Sequence, residues 1–318
     1  MKNTTKNILL LIVVIILCLF LLEGFFRIFF ADYSHTLGGP GMKKLIKSTE
    51  FNNLGFRSDT DITEKAGPRI VILGDSMTFG HGIKQTKDTW PAQLETILKT
   101  QNPNVEVINT AWPGEDTETE LLIYKRKAKQ LKPDIVIIGY FLNDAETDES
   151  LKAREEHHQQ FQSTSYVGNI IHAVFGKFFL ENSYLYNMFI IFYDSLKQQT
   201  FADTYVNQVS TTYNNNLTLH KQQITDLITE IKNDNAIPIV VTIPFFYDFE
   251  DYPFTNAHTF VETAAFENNA AYVDLLDNFK NKETSKFIIG PYDNHVNEAG
   301  STIIANTIAE FITLHELI

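Results

Sequence analysis

Two short stretches of this chain carry residue types that can do covalent chemistry together. Gly74-Asp75-Ser76 closes the apolar run Arg69-Ile-Val-Ile-Leu73, and far downstream comes Asp293-Asn294-His295. A serine hydroxyl is a poor nucleophile until a histidine takes its proton, and the histidine needs a carboxylate to orient it. Each stretch alone is far more common in turns and surface loops than in catalytic sites. The sequence between them is what makes the pair informative. Val105-Glu-Val-Ile-Asn109 is a second strand-like run and leads into Thr110-Ala-Trp-Pro-Gly114. Pro133-Asp-Ile-Val-Ile-Ile138 is a third and leads into Gly139-Tyr-Phe-Leu-Asn143-Asp144. Serine, glycine, asparagine and histidine thus follow in order, the first three each just past a strand.

In those four blocks the chain resembles the SGNH (GDSL-type) hydrolase family in its membrane-anchored bacterial type, from about Asn53 to the C-terminus. The resemblance implies a three-layer α/β/α fold around a flavodoxin-like parallel five-stranded sheet. It also implies Ser76 as nucleophile, His295 as base and Asp293 as the group that orients the base. The oxyanion hole would comprise the backbone N–H groups of Ser76 and Gly114 and the side chain of Asn143. Asp75 and Asp144 would have supporting hydrogen-bonding roles, and no metal or organic cofactor is required. Gly114, without a Cβ, allows close approach of a substrate, and it also suits a turn after Pro113. Two departures from the family's commonest pattern stand out: Asp293 precedes His295 by two residues rather than three, and Val296 replaces a proline.

Nine histidines are available, so context must choose among them. His81 is near Ser76 in sequence but has no carboxylate beside it. His258 and His315 fall in expected helices without a supporting motif. His295 alone has an aspartate two residues before it and a helix opening, Asn297-Glu-Ala-Gly300, directly after it. Asn297 suits the N-cap of that helix.

Positioning these residues requires alternating strands and helices. Strands are expected at 69–73, 105–109, 134–139, 237–243 and 271–275. Ile224, Leu227, Ile228 and Ile231 follow the spacing of an amphipathic helix, as do Ile304, Ile308, Phe311 and Ile312. Near-continuous apolar strands joined by helices predict a parallel sheet covered on both faces, and such sheets bind ligands at the carboxyl ends of their strands. Ser76, Gly114 and Asn143 all fall at those ends.

The remaining features bound the class of protein. A formal net charge of −13 over 318 residues argues against nucleic acid as a partner. Cys18 is the only cysteine, so no internal disulfide exists, and no cysteine–histidine set has zinc-ligand spacing. His157-His158, flanked by Glu155 and Glu156, reads as a solvated helix face, and no glycine-rich phosphate loop is present. Ile8 to Leu22 is an unbroken apolar run of fifteen residues, ~22 Å of helix against a hydrocarbon core of ~30 Å. Continuing to Phe30 gives adequate length and includes Glu23 and Arg27, spaced to pair on one helix face. No small-residue cleavage site follows, which favours an anchor over a removed signal peptide. Lys2 and Lys6 before the span predict a cytoplasmic N-terminus and an extracytoplasmic catalytic domain.

The expected organisation is an anchor at 1–30, a stalk and lead-in at 31–66, and a hydrolase domain at 67–318. A helical, aromatic-rich insertion lies at about 146–220. The insertion reads as packed core, as a lid or substrate groove, or as a surface lying on the membrane. The function expected is hydrolysis of short-chain O-acyl esters through an acyl-enzyme, on an extracytoplasmic glycan or lipid. Two alternatives remain: an O-acyltransferase using the same triad on a cell-envelope polysaccharide, and a non-catalytic envelope scaffold or glycan-binding protein.

Overall fold

The Val- and Ile-rich runs form one five-stranded, wholly parallel sheet in the order β2-β1-β3-β4-β5. A computed structural model describes residues 2–29, 44, 47–145, 177–189, 217–290 and 293–318. Outside these residues lie Gly38–Gly41, the polar stretch 146–162 with His157 and His158, and the aromatics Tyr166, Phe175, Phe192 and Tyr193. The elements open with α1 (Lys2–Phe29), β1 (Arg69–Gly74), α2 (Ser76–Phe79), α3 (Trp90–Lys99), β2 (Glu106–Asn109), α4 (Thr117–Arg126) and β3 (Ile135–Tyr140). After them come α5 (Lys177–Asn182), α6 (Leu217–Asn233), β4 (Ile237–Thr242), α7 (Thr255–Glu267), β5 (Ala271–Asp274), β6 (Ile288–Gly290), β7 (Asp293–Val296) and α8 (Glu298–Leu314).

The chain divides into two compact units, Met1–Ser48 with Arg154–Phe201, and Thr49–Ala153 with Ala202–Ile318. The second unit holds the sheet. Alternation along its strands divides the core in two, because successive side chains point to opposite faces. Val71, Leu73, Val136, Ile138 and Val240 pack with Tyr124, Ile224, Leu227, Ile228, Ile231 and Val261 from α4, α6 and α7. Ile70, Ile72, Ile135, Ile137, Ile239 and Val241 pack with Trp90, Leu94, Leu98, Ile304, Ile308 and Ile312 from α3 and α8. Every residue of the central strands β1 and β3 is buried, which explains why these strands read as continuous apolar runs. Each such Ile or Val contributes about 1.5–3 kcal/mol by leaving water.

This strand order reverses direction between β1 and β3, and at such a switch point the two flanking loops part to leave a crevice at the strands' carboxyl ends. Gly74 of β1 pairs with Gly139 of β3, so the loops carrying Ser76 and Asn143 leave the sheet side by side. One element was not expected from sequence. The segment carrying Asp293 and His295 forms strand β7, paired antiparallel with β6 through Ile288–Val296 and Gly290–Asp293.

In the first unit, α1 is long and apolar enough to cross a membrane over Thr4–Phe29.

Candidate active site

The backbone after β1 turns at once into a single helical turn, and the sequence dictates the turn's sharpness. Gly74 has φ +152°, and a Cβ there would overlap Thr78. Asp75 caps the turn, its carboxylate accepting the Met77 N–H at 2.8 Å. Gly80, at φ +82°, ends it. Arg57 holds the same turn from the other side. Its buried guanidinium donates to the carbonyls of Phe79 (3.1 Å), Gly80 (2.6 Å) and Ile83 (2.6 Å), where the positive charge also suits the helix C-terminus. Burial lowers the Arg57 pKa to about 10, so the group stays charged at neutral pH.

His295 reaches the nucleophile turn from β7. Its Nε2 lies 2.8 Å from the Ser76 Oγ and its Nδ1 lies 2.6 Å from Asp293 Oδ1. The same carboxylate oxygen accepts the His295 backbone N–H at 3.0 Å, so Asp293 fixes both the ring and its strand. A carboxylate at Nδ1 selects the tautomer with the proton there, which leaves Nε2 free to accept the serine proton. Asn297 secures the strand to α8. Its side chain accepts from the Ala299 and Gly300 N–H groups at 3.0 Å, and donates to the Lys286 and Ile288 carbonyls at 3.0 Å.

The charges follow from burial and partners. Burial pushes the Asp293 carboxyl up, but the His295 hydrogen bond and charge, then the charge of His81, more than reverse this and leave it well below the usual carboxylate range. Burial opposes ionisation of His295, yet the Asp293 hydrogen bond and charge, then Asp75, raise its pKa above the ordinary 6.5. Beneath the turn lies a layer of carboxyls. Burial raises Asp75, opposed in part by the Met77 N–H, the His295 charge and the side chains of Asn143 and Ser76. Burial, then the charges of Asp75, Asp116 and Glu115, push Glu120 well above the carboxylate range, and burial, then the charges of Glu120 and Asp75, do the same to Asp144. Among the described residues neither Glu120 oxygen has a hydrogen-bond partner, nor does Asp144 Oδ1. Asp144 Oδ2 accepts the Phe141 N–H at 3.1 Å.

The oxyanion candidates are placed by the neighbouring strands. Gly114 has φ +86° and follows Pro113 in a turn closed by the Glu115 N–H to the Trp112 carbonyl at 3.3 Å. Proline second and glycine third are what a type II turn requires. The Trp112 N–H in turn bonds the Gly74 carbonyl at 3.1 Å, tying this loop to the nucleophile turn. Asn143 lies beside the Asp75 carboxyl. Trp112, 42% exposed, packs against Phe79 at 5.6 Å and Phe51 at 6.0 Å between ring centres, an apolar surface adjoining the turn.

Ser76, Asp293 and His295 are thus in direct contact, with Asp75 and Asn143 adjoining. Sequence reasoning missed the parts played by Arg57, Glu120 and His81. His81 carried the signal of closeness to Ser76, and its ring centre lies 4.4 Å from that of His295. A second buried histidine–carboxylate contact, His258 Nδ1 to Asp274 at 2.9 Å, ends on the Tyr252 hydroxyl at 3.0 Å, with no serine. One cluster among the described residues has ligand atoms close enough for a cation: His81, Asp293 and His295, within 4.8 Å of one another. Both ring nitrogens of His295 are engaged with Ser76 and Asp293, so a cation there would displace the proton-transfer contacts.

A doubly wound sheet with a serine, histidine and aspartate in contact at its carboxyl edge has the makings of an acyl-transferring enzyme. The chain belongs to the GDSL-like Lipase/Acylhydrolase family, whose model matches residues 72–303. It is an ester-hydrolysing enzyme of that family. Among solved structures it is similar to TesA, at 13% identity and a TM-score of 0.49, covering 79% of this chain and 99% of that one. It is also similar to an acetyl-xylooligosaccharide esterase, Axe2 from Geobacillus, at 16% identity and a TM-score of 0.49, covering 79% and 96%. A two-domain esterase active on acetylated mannans is similar at 14% identity and a TM-score of 0.48; the match covers 80% of this chain and 51% of that one. These likenesses are too distant to carry a substrate across. No curated protein sequence matches the chain.

Proposed function

We propose that the chain is a membrane-anchored serine esterase that removes short O-acyl groups from an extracytoplasmic glycan or lipid. The observation that carries this reading is the continuous contact from Ser76 Oγ through His295 to Asp293, at 2.8 and 2.6 Å. In the reaction Ser76 Oγ attacks the ester carbonyl while His295 Nε2 takes the hydroxyl proton. Asp293 holds the ring and stabilises the imidazolium that forms. The oxyanion receives the Ser76 and Gly114 backbone N–H groups and an Asn143 N–H. An amide carries two such hydrogens, so Asn143 can serve Asp75 with one and the oxyanion with the other. His295 then returns the proton to the departing alkoxide, leaving an acyl group on Ser76. A water, deprotonated by His295, attacks that acyl group, the bond to Ser76 Oγ breaks as His295 returns the proton to that oxygen, and the carboxylic acid leaves.

The substrate class rests on placement. An apolar helix opening the chain, with Lys2 and Lys6 ahead of its unbroken apolar run from Ile8, supports a single-pass anchor with a cytoplasmic N-terminus. The catalytic unit then faces O-acylated envelope material. A sugar hydroxyl in place of water would make the same acyl-enzyme an O-acyltransferase. Incubating the full-length protein in detergent with p-nitrophenyl acetate, with and without an oligosaccharide acceptor, separates the two. Free acetate as the main product in both cases supports the esterase. Acetylated oligosaccharide as the main product supports transfer, and no turnover of acetyl or longer acyl esters would refute both.

A further inference from the structure

Glu23 and Arg27 are costly residues to keep in an apolar span, and the first structural unit accounts for both. Residues 177–189 form two short helical pieces, α5 and a second that begins at Tyr184, broken at Ser183. The Glu23 carboxylate accepts the Ser183 hydroxyl at 2.8 Å and the N–H groups of Tyr184 and Leu185 at 3.1 and 3.0 Å. These are among the N–H groups that a helix start leaves without an internal partner. Arg27 pairs with Glu23 at 2.9 Å and donates to the Asn182 carbonyl, at the end of α5, at 3.0 Å. Its guanidinium also lies 5.3 Å from the centre of the Tyr184 ring. The anion therefore meets a helix start and the cation meets a helix end, the pairing that backbone dipoles favour.

The depth of this junction follows from the sequence. Glu23 directly follows Leu22, the last residue of the unbroken apolar run from Ile8, and fifteen residues of helix rise only ~22 Å. Glu23 therefore sits at or just inside one edge of a ~30 Å hydrocarbon layer, and whatever binds it sits at that edge too. Around this junction Tyr184 and Asn187 are buried, whereas Phe178 and Phe189 are each 62% exposed and Phe179 is 44% exposed. Phe179 stands 5.6 Å from Phe178 and 6.0 Å from Tyr186 between ring centres. Large apolar rings exposed at that depth meet lipid rather than water, and aromatic residues favour the boundary between acyl chains and headgroups.

We propose that residues 177–189 are a second membrane contact, docked on the anchor by Glu23 and Arg27, with Phe178, Phe179 and Phe189 set into the acyl–headgroup boundary. This rests on the reading of α1 as a membrane anchor, and the lone cysteine allows the two to be tested apart. Full-length protein is reconstituted into phosphatidylethanolamine–phosphatidylglycerol vesicles carrying phosphatidylcholine spin-labelled at acyl carbon 5 or 12. An environment-sensitive nitrobenzoxadiazole label is placed on native Cys18 or, in a Cys18→Ser background, on Phe178→Cys or Phe189→Cys.

The proposal expects Cys18 to be quenched more by the deep spin label, and positions 178 and 189 more by the shallow one. Adding Glu23→Leu should lower quenching at 178 and 189 at least twofold, and adding it to the protein labelled at native Cys18 should leave the Cys18 reading unchanged. Quenching at 178 and 189 by aqueous iodide instead, or shielding from both lipid and iodide, would overturn the proposal while a lipid-quenched Cys18 kept the anchor. So would unchanged quenching in Glu23→Leu. Iodide quenching at Cys18 would overturn the anchor itself and the proposal with it.

Discussion

Replacing Asp293 by Asn changes one charge and almost no volume, and its effect can be worked from the contacts it alters. In the wild type Oδ1 accepts both the His295 ring and its backbone N–H, at 2.6 and 3.0 Å. In the proposed acyl transfer His295 becomes a cation. Two unit charges at about 3–4 Å interact by about 4–5 kcal/mol at an effective dielectric near 20. The two side chains retain 30% and 17% exposure, which solvent screening turns into a loss of about 4 kcal/mol. That is about 10³-fold in kcat/KM, rising to about 10⁴-fold if the amide presents its NH₂ and selects the wrong tautomer. The pH profile should move as well. In the proposed mechanism activity requires neutral His295, and Asp293 raises the His295 pKa above 6.5, so the rising limb of wild-type kcat/KM should lie above that pH. In Asp293→Asn the limb should fall to lower pH.

Stability carries a second signature of the same pair. The raised His295 contributes stability fully below 6.5 and loses it as pH rises through its folded value. The depressed Asp293 contributes above its ordinary 3.8 and loses it as pH falls through its folded value. The substitution should therefore lower Tm most between about pH 4 and 6.5. The assays are p-nitrophenyl acetate hydrolysis and thermal unfolding of the full chain across pH. A kcat/KM loss below tenfold, or a limb that does not move, would contradict a charge-stabilising role for Asp293.

Other consequences are equally open to measurement. Asn143→Ala should lower kcat about 10²–10³-fold with little change in KM, as removal of one oxyanion donor does in other enzymes; a larger effect on KM than on kcat would argue against that role. Arg57→Lys should lower stability by about 3 kcal/mol, since an ammonium cannot serve the carbonyls of Phe79, Gly80 and Ile83 together. Differential scanning fluorimetry would register this as a Tm lower by about 6–12 °C. Glu120→Gln should make the protein progressively more stable than wild type as pH rises from 5 to 8. The raised Glu120 pKa means that the unfolded chain releases this proton first, at a cost of at most about 1.4 kcal/mol per pH unit, which glutamine does not incur. A Tm difference that stays flat with pH would show that Glu120 ionises normally in the folded chain.

Much of the sheet was legible because strands buried on both faces leave unbroken Val/Ile runs that end in Gly or Asn. Arg69–Gly74 and Ile135–Tyr140 lie within a residue of the runs read from sequence. The helix Leu217–Asn233 was legible for the complementary reason: Ile224, Leu227, Ile228 and Ile231 are all buried on one face. Parallel strands deliver Ser76, Gly114 and Asn143 to one edge of the sheet, whereas the contact of His295 with Ser76 could be anticipated only through the family resemblance. The hairpin β6–β7 could not, since Asp-Asn-His has little strand propensity and only four residues pair. Glu120 was hidden because Thr117, Glu120 and Tyr124 form a buried face that is polar in sequence, whereas Leu122 of the same helix is exposed. Arg57 was hidden because its partners are backbone carbonyls 22 to 26 residues away, which no side-chain pattern encodes.

In the proposed reaction His295 activates Ser76 as a nucleophile. Treating the full-length protein with a fluorophosphonate and mapping the adduct by mass spectrometry tests it most directly, with Ser76→Ala and His295→Ala alongside. Stoichiometric modification of Ser76 in the wild type and loss of labelling in both variants are expected. A folded wild type that stays unlabelled, or one modified at another serine, would contradict it.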